Sequence, residues 1–194
     1  MDSVTRTRKI IVDAASDQFD LYGPHKTTMI SVASIADVAR ATLYLHFPNK
    51  RALYAATLTK ATDEMAASVG ALLLEPISAQ MKLRRWVELT ASTYSDNKVF
   101  FSAIAEEAEF TIKEVAESVL QEHRKQLLVM LTNILAQGVA VGDLRDINVT
   151  YVAELMYDLG TIVVVNALSG KTAAPLSDML GVMDDLFHRG ISTT

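Results

Sequence analysis

The sequence predicts an all-α protein, and three observations support that prediction. Apolar residues recur at helical spacing along almost the whole chain, whereas stretches that alternate apolar and polar residues are scarce. Only four Pro and eight Gly occur, and most lie between periodic segments. Half of the 194 residues are apolar and 21% are charged, which is typical of a globular chain with a sizeable core. We expect about nine helices, a three-helix N-terminal domain followed by a C-terminal helical bundle.

The first three helices are predicted over residues 5–22, 29–36 and 39–45, and clear breaks separate them. The second and third are short. Gly23 is a suitable stop for the first helix, and Thr28 is a suitable N-cap for the second. Asp37 stands where the chain must turn sharply, in a conformation that Asp tolerates. The residues expected to be buried are Ile10, Ile11, Ala14, Ala15, Phe19, Tyr22, Ile30, Val32, Ala33, Ile35, Ala36, Val38, Leu43 and Phe47.

Six longer helices are predicted after Pro48, over residues 50–73, 79–94, 99–110, 112–137, 148–168 and 177–188. Pro76 ends the first of these, and Ser78 and Ser177 suit N-caps of the second and the last. No linker-like stretch separates the short helices from the long ones. We therefore expect two domains, residues 1–50 and 51–194, with the boundary at the start of the fourth helix.

Charge is distributed unevenly along the chain. The net charge is −5, but residues 1–55 hold seven Lys and Arg against five Asp, so the remainder carries −7. A mildly basic N-terminal part is compatible with a phosphate-binding face. The absence of Cys excludes disulfides and thiolate metal sites. The N-terminus has no signal-like apolar region and the unbroken apolar stretches are short, so we expect a cytoplasmic protein without a membrane partner.

The segment over residues 27–54, TTMISVASIADVARATLYLHFPNKRALY, carries the strongest functional pattern. Its second predicted helix begins with small residues, including Ala41, that permit close approach to a DNA groove. Arg40 can donate two hydrogen bonds to a guanine. Thr42, Tyr44, His46 and Lys50 can donate to phosphate oxygens. On these residues alone, an ordinary helical hairpin with solvated polar groups is an equal alternative.

The pattern from Thr42 to Leu53, TLYLHFPNKRAL, resembles the DNA-binding domain of the tetracycline-repressor (TetR) family of bacterial transcription regulators, and the resemblance covers residues 8–55. It implies a helix-turn-helix in which Arg40 reads bases. It also implies phosphate contacts from Thr28, Thr42, Tyr44, His46 and Lys50. Two positions depart from the family pattern, since Asp37 replaces a turn Gly and Ala39 replaces a capping Ser. Residues 101–110 and 142–145 resemble the subgroup with an AefR-like C-terminal domain.

The resemblance implies a DNA-binding transcriptional regulator rather than an enzyme, with no cofactor and no metal. The sequence contains no Gly-rich phosphate loop, nucleophile elbow or metal-ligand spacing. We expect a repressor that a small, largely apolar ligand releases from a palindromic operator. The alternatives are a ligand-sensing activator, a family member that does not bind DNA, and a helical enzyme or lipid carrier on the same body.

Reading a palindrome requires two recognition helices about 34–36 Å apart, or a multiple of that distance, and therefore a homodimer. The residues expected at the dimer interface are Tyr151, Leu155, Leu159, Ile162, Val163, Leu180, Met183 and Phe187. The alternative is that this surface is buried within one chain. The candidates for the ligand pocket, for each of which plain core packing is the favoured alternative, are Trp86, Tyr94, Phe101, Phe110, Met130, Asn133 and Tyr157.

Overall fold

The computed structural model describes residues 3–104 and 110–191, with side chains for 3–103 and 114–191. Within these residues the chain forms nine helices and no strand, so the all-α prediction is confirmed. The helices are α1 (Ser3–Lys26), α2 (Met29–Ile35), α3 (Arg40–His46), α4 (Lys50–Leu74), α5 (Ala79–Asp96), α6 (Lys98–Ile104), α7 (Phe110–Val141), α8 (Val149–Leu168) and α9 (Leu176–Ile191).

Two compact units make up the chain. Unit 1 contains Met1–Asp63 and Asn97–Gln121, and unit 2 contains Glu64–Asp96 and Glu122–Thr194. Since α4 and α7 each contain residues of both units, neither unit is a continuous piece of sequence. The functional division at residue 50 stays a prediction.

The breaks between α1, α2 and α3 lie where the sequence predicts them. Gly23 has a positive φ of 75° that interrupts α1 before Pro24. The Thr28 side chain accepts a hydrogen bond from the Ser31 backbone N–H, and Ser31 Oγ accepts one from the Thr28 N–H. Asp37 has a φ of 50°, so the turn before α3 is in the left-handed region. These local features fix the short helices before any packing is considered.

Fewer apolar side chains of α1 and α2 are buried than the sequence predicts. Ile10, Tyr22, Ile30 and Ile35 are exposed, so the expectation that they are buried is wrong. The buried residues of α1 and α2 are Ile11, Val12, Ala14, Ala15, Gln18, Phe19, Val32 and Ala33. A helix presents only one stripe of its surface to the core, so the apolar residues of α1 and α2 that lie outside that stripe remain in solvent.

The start of α6 is fixed by side chains of α1 and α4 within unit 1. Asp20 Oδ1 accepts a hydrogen bond of 2.9 Å from the Val99 N–H, and burial raises the pKa of Asp20. The buried Tyr54 hydroxyl donates to the Val99 carbonyl oxygen at 3.2 Å, and its ring meets Phe19 edge-on. Both backbone polar groups of Val99 are therefore held by the helices that support the N-terminal domain.

Side-chain caps define where α5 and α8 of unit 2 begin. Ser78 Oγ accepts from the Met81 N–H as predicted, and Asp143 Oδ2 accepts from the Ala79 N–H at 3.1 Å. Asn148 caps α8. The helix α9 begins at Leu176, so Ser177 is part of its first turn and the prediction of an N-cap there is wrong.

One described helix, α8, is long and apolar enough to cross a membrane by length and composition alone. Core helices of soluble proteins share these properties, and α8 carries Glu154 and Asp158. What distinguishes α8 is that much of its apolar surface is exposed in this single chain.

Candidate nucleic-acid interface

The helix α3 has an inward face and an outward face that its burial pattern separates cleanly. Leu43 and Phe47 are buried at 0% and 2% exposure. Since successive residues are about 100° apart on a helix, the position opposite these two is Leu45. Leu45 is 86% exposed, and Ala41, one turn earlier on the same side, is also exposed. The outward face of α3 is therefore centred on small and apolar groups.

Polar side chains surround that centre. Arg40 and Tyr44 are exposed, and Thr42 and His46 are half-buried. All four of these predicted DNA contacts are consequently accessible on α3, with donor groups on both sides of Leu45. Thr28 is exposed at the start of α2, although its hydroxyl already contacts Ser31 Oγ at 3.2 Å as part of the cap.

Lys50 connects the recognition region to the end of α1. Its Nζ donates a hydrogen bond of 2.7 Å to the Pro24 carbonyl oxygen. The sequence did not predict this role. An ammonium group has three donor protons, so the bond to Pro24 leaves the predicted phosphate contact of Lys50 possible. The predicted role of Lys50 therefore gains a structural component.

Arg8 is exposed near the N-terminus, where its basic neighbours suggest either an arm on the DNA or a charged terminus without structure, and it contacts the residue that ends α3. Its guanidinium carbon lies 4.9 Å from the centroid of the Phe47 ring, directly behind α3. The neighbouring Lys9 pairs with Asp13 at 2.8 Å, and Lys60 also pairs with that carboxylate. Although burial acts in the opposite direction, these two ammonium groups hold the pKa of Asp13 below its usual value. The basic cluster near the N-terminus was the available signal for Arg8.

Unit 2 contains a small cavity that includes two of the predicted pocket residues, Trp86 and Tyr157. Its free volume is about 10 Å³, which is room for about one water molecule. Its lining residues, none of which carries a formal charge, are Trp86, Val87, Thr90, Leu127, Met156, Tyr157, Gly160, Thr161, Val164, Leu180 and Met183. Thr90 and Thr161 were not predicted. The site offers aromatic and aliphatic surface with a few hydroxyl groups.

Tyr157, which lines this cavity, and Tyr94, which lies beside Tyr157 but does not line the cavity, are strongly desolvated. Burial raises the pKa of the Tyr94 hydroxyl, and the nearby Tyr157 hydroxyl contributes in the same direction. Burial also raises the pKa of Tyr157, although the Arg124 charge opposes it. The Arg124 guanidinium lies 5.3 Å from the centre of the Tyr157 ring and bonds to Asp158 at 3.0 Å. Both phenols therefore remain neutral hydrogen-bonding groups.

The other predicted pocket residues are not brought to this cavity. Phe101 is half-buried and belongs to unit 1. Met130 is half-buried and Asn133 is exposed, and neither lines the cavity. The Phe110 side chain lies outside the described residues, as do residues 105–109 of the AefR-like segment.

The predicted dimer residues lie along one apolar face of α8 and α9. Tyr151, Leu155, Leu159 and Ile162 are exposed, and the other four are half-buried except Met183, which is 7% exposed. Between the two helices runs an open groove with a free volume of about 490 Å³. Its lining, with two exposed residues that were not predicted, Val182 and Leu186, is Leu159, Val163, Ala174, Asp178, Met179, Val182, Met183, Leu186 and Phe187.

Comparison with known proteins agrees with this arrangement. Residues 11–57 match the family model described as "Bacterial regulatory proteins, tetR family". The HTH-type transcriptional regulator TtgR of Pseudomonas putida is 29% identical over 156 residues, which are 74% of this chain and 72% of that protein. The match thus extends well beyond the helix-turn-helix.

Two solved structures share the fold of the whole chain. The transcriptional regulator FadR from Bacillus subtilis, in complex with stearoyl-CoA, superposes with a TM-score of 0.71 at 19% identity, covering 92% of this chain and 96% of that one. A protein from Saccharomonospora viridis in complex with choline gives a TM-score of 0.75 at 18% identity, covering 98% and 100%. At these identities the likeness concerns the fold.

Proposed function

This chain is a DNA-binding transcriptional regulator of the TetR family, and on that premise we propose that it is a homodimeric repressor whose operator affinity is lowered by a small neutral ligand. The observation that carries the proposal is the outward face of α3. Arg40, Tyr44 and Thr42 are accessible there while Leu43 and Phe47 anchor the helix from behind. A major groove admits one helix presented in this way.

A second copy of the chain is the proposed occupant of the α8–α9 face. A contiguous exposed apolar surface of this kind is unusual on a monomer and common at subunit interfaces. The face contains Tyr151, Leu155, Ile162, Val182 and Leu186, all more than half exposed. A two-fold contact through α8 and α9 would bury the same face on both chains and would present two α3 helices to a palindrome.

The proposed effector binds at the uncharged cavity in unit 2, which must widen to admit it because its free volume is only about 10 Å³. Trp86 and Tyr157 offer flat apolar contacts, and Thr90 and Thr161 offer hydroxyl groups for one or two hydrogen bonds. A cationic ligand such as choline fits poorly, because the Arg124 guanidinium already lies over the Tyr157 ring. We propose a small aromatic or alicyclic molecule without formal charge. Such a ligand lowers operator affinity if it binds better to the conformation that DNA does not select.

A gel-shift titration with the DNA upstream of the chain's own coding region tests the proposal. We expect a shift that weakens with salt, since phosphate contacts release counterions. Tyr44→Ala and Lys50→Ala should weaken the shift, whereas Lys98→Ala, a control at an exposed lysine of α6, should leave it unchanged. Equal and weak binding to that region and to random DNA at every salt concentration would overturn the proposal.

A further inference from the structure

We infer that Leu45 is a specificity residue that contacts the 5-methyl group of a thymine in the major groove of the operator. The inference rests on the proposed function and names one feature of the DNA that the protein reads. Leu45 is the residue of α3 that points most directly away from the buried Leu43 and Phe47. At 86% exposure, its isobutyl group makes almost no contact within the chain.

The chemistry of the groove selects the partner. Base edges in the major groove present hydrogen-bond donors and acceptors, and thymine adds an apolar methyl group. A Leu side chain can neither donate nor accept a hydrogen bond, so phosphates and the polar base edges give it no favourable partner. Contact with a thymine methyl removes two apolar surfaces from water. The leucine would therefore favour an A·T pair at one position of each half-site.

The neighbours of Leu45 make that contact geometrically feasible. Ala41 lies one turn earlier on the same side and is exposed, and its small side chain lets the helix axis approach the base edges. Thr42 and Tyr44 lie on the two sides of this strip with polar side chains, and Arg40 is exposed at the start of the helix. Single exposed leucines are ordinary on protein surfaces. Leu45 differs from such leucines because it stands at the centre of the proposed DNA-facing side of α3.

The experiment begins by selecting binding sites from a pool of random duplexes with the full-length chain. Each thymine of the selected site is then replaced in turn by deoxyuridine, which removes only the methyl group. We expect one symmetry-related pair of thymines whose replacement weakens wild-type binding by about fourfold per half-site, the value for one buried methyl group.

Leu45→Ala completes the test as a double-mutant cycle. This variant should bind the thymine site more weakly than wild type but should lose its sensitivity to deoxyuridine at that pair. Leu21→Ala, a control at an exposed leucine of α1, should keep the full sensitivity. Because Leu45 is exposed, thermal unfolding of Leu45→Ala should match the wild type.

The outcomes separate the two claims. If the selection enriches no site, the proposed repressor function fails, and the inference fails with it. If a site is enriched but no thymine methyl matters, or if Leu45→Ala retains the wild-type sensitivity, the role of Leu45 is overturned and the proposed function stands.

Discussion

The outward face of α3 and the α8–α9 face both expose apolar side chains, but in different surroundings. On α3 the exposed Leu45 stands alone among the polar side chains of Arg40, Thr42 and Tyr44. On α8 and α9 the exposed apolar residues are contiguous and line an open groove with Leu159 and Val182. An isolated apolar group among donors suits a DNA groove, whereas a continuous apolar surface suits another protein surface.

The two regions also differ in how they are held in place. The α3 region depends on local devices, including the Thr28 cap, the left-handed Asp37 and the Lys50 bond to Pro24. The α8–α9 face is held in place by apolar packing, and Met183 and Val164 are buried behind it. Substitutions should therefore act differently in the two regions, by changing DNA recognition in one and association in the other.

The largest effect is expected where charge is placed in the α8–α9 groove. Leu159→Glu together with Leu186→Glu should weaken dimerisation by about 100-fold or more, since an unpaired charge buried at an interface costs several kcal/mol. Native mass spectrometry and light scattering measure the association. Leu74→Glu, at a still more exposed leucine of α4, should leave the dimer intact. An unchanged dimer in the double variant would remove this face as the subunit contact.

Low pH should lower the free energy of unfolding, because unit 2 contains a buried histidine. His123 is 2% exposed, and burial lowers its pKa from 6.5 to about 4. The unfolded chain then binds a proton below pH 6.5 that the folded chain does not. The free energy of unfolding should be insensitive to His123 above pH 6.5 and fall by up to about 3 kcal/mol as the pH approaches 4.

Urea unfolding at several pH values measures this dependence. His123→Leu should flatten the fall between pH 6.5 and 4, whatever the variant does to stability at pH 7. His25→Leu, at an exposed position, should retain the wild-type profile. If His123→Leu and the wild type lose stability in parallel over that range, the buried imidazole is not the titrating group.

A smaller effect should separate reading from positioning on the α3 surface. Arg40→Ala should reduce discrimination between the selected operator and base-substituted sites by about 1–3 kcal/mol. Lys50→Ala should instead weaken binding to all sites alike and lower the salt slope by about one. Fluorescence anisotropy titrations at several salt concentrations measure both quantities. Unchanged sequence discrimination in Arg40→Ala would exclude Arg40 as a reader of bases.

The smallest effect concerns the uncapped start of α3. Ala39 has an extended backbone there but makes no side-chain cap hydrogen bond. Ala39→Ser should supply that bond and stabilise the fold by about 1 kcal/mol. Ala41→Ser, a control inside the same helix, should give no gain, and thermal unfolding compares the two. Equal stability of both variants would show that α3 does not need the cap.

Sequence alone predicted the helix boundaries well where a residue has a strong local preference. Gly23, Thr28, Asp37 and Ser78 each stand at the predicted break or cap, because their conformations depend on neighbouring backbone atoms. The inward faces were harder. Ile30 and Ile35 are apolar but exposed, since only the tertiary packing of a two-turn helix decides which stripe is buried.

The candidate site was predicted in the same uneven way. The polar side chains of α3 were predicted to be accessible, but the sequence did not single out Leu45, whose exposure is known from the structure. The cavity was only half predicted, since Trp86 and Tyr157 were expected while Thr90 and Thr161 were not. The cavity is formed by residues that are far apart in sequence and come into contact when helices pack. Periodicity within one helix does not predict contacts between helices.

A hydroxyl-radical footprint of the wild-type chain on its selected operator tests the central claim most directly. A homodimer with two α3 helices should protect two half-sites related by a two-fold axis, their centres separated by a whole number of turns of about 10–10.5 base pairs. A single protected site without symmetry, or uniform protection along the duplex, would contradict the proposal that two copies joined through α8 and α9 present α3 to DNA.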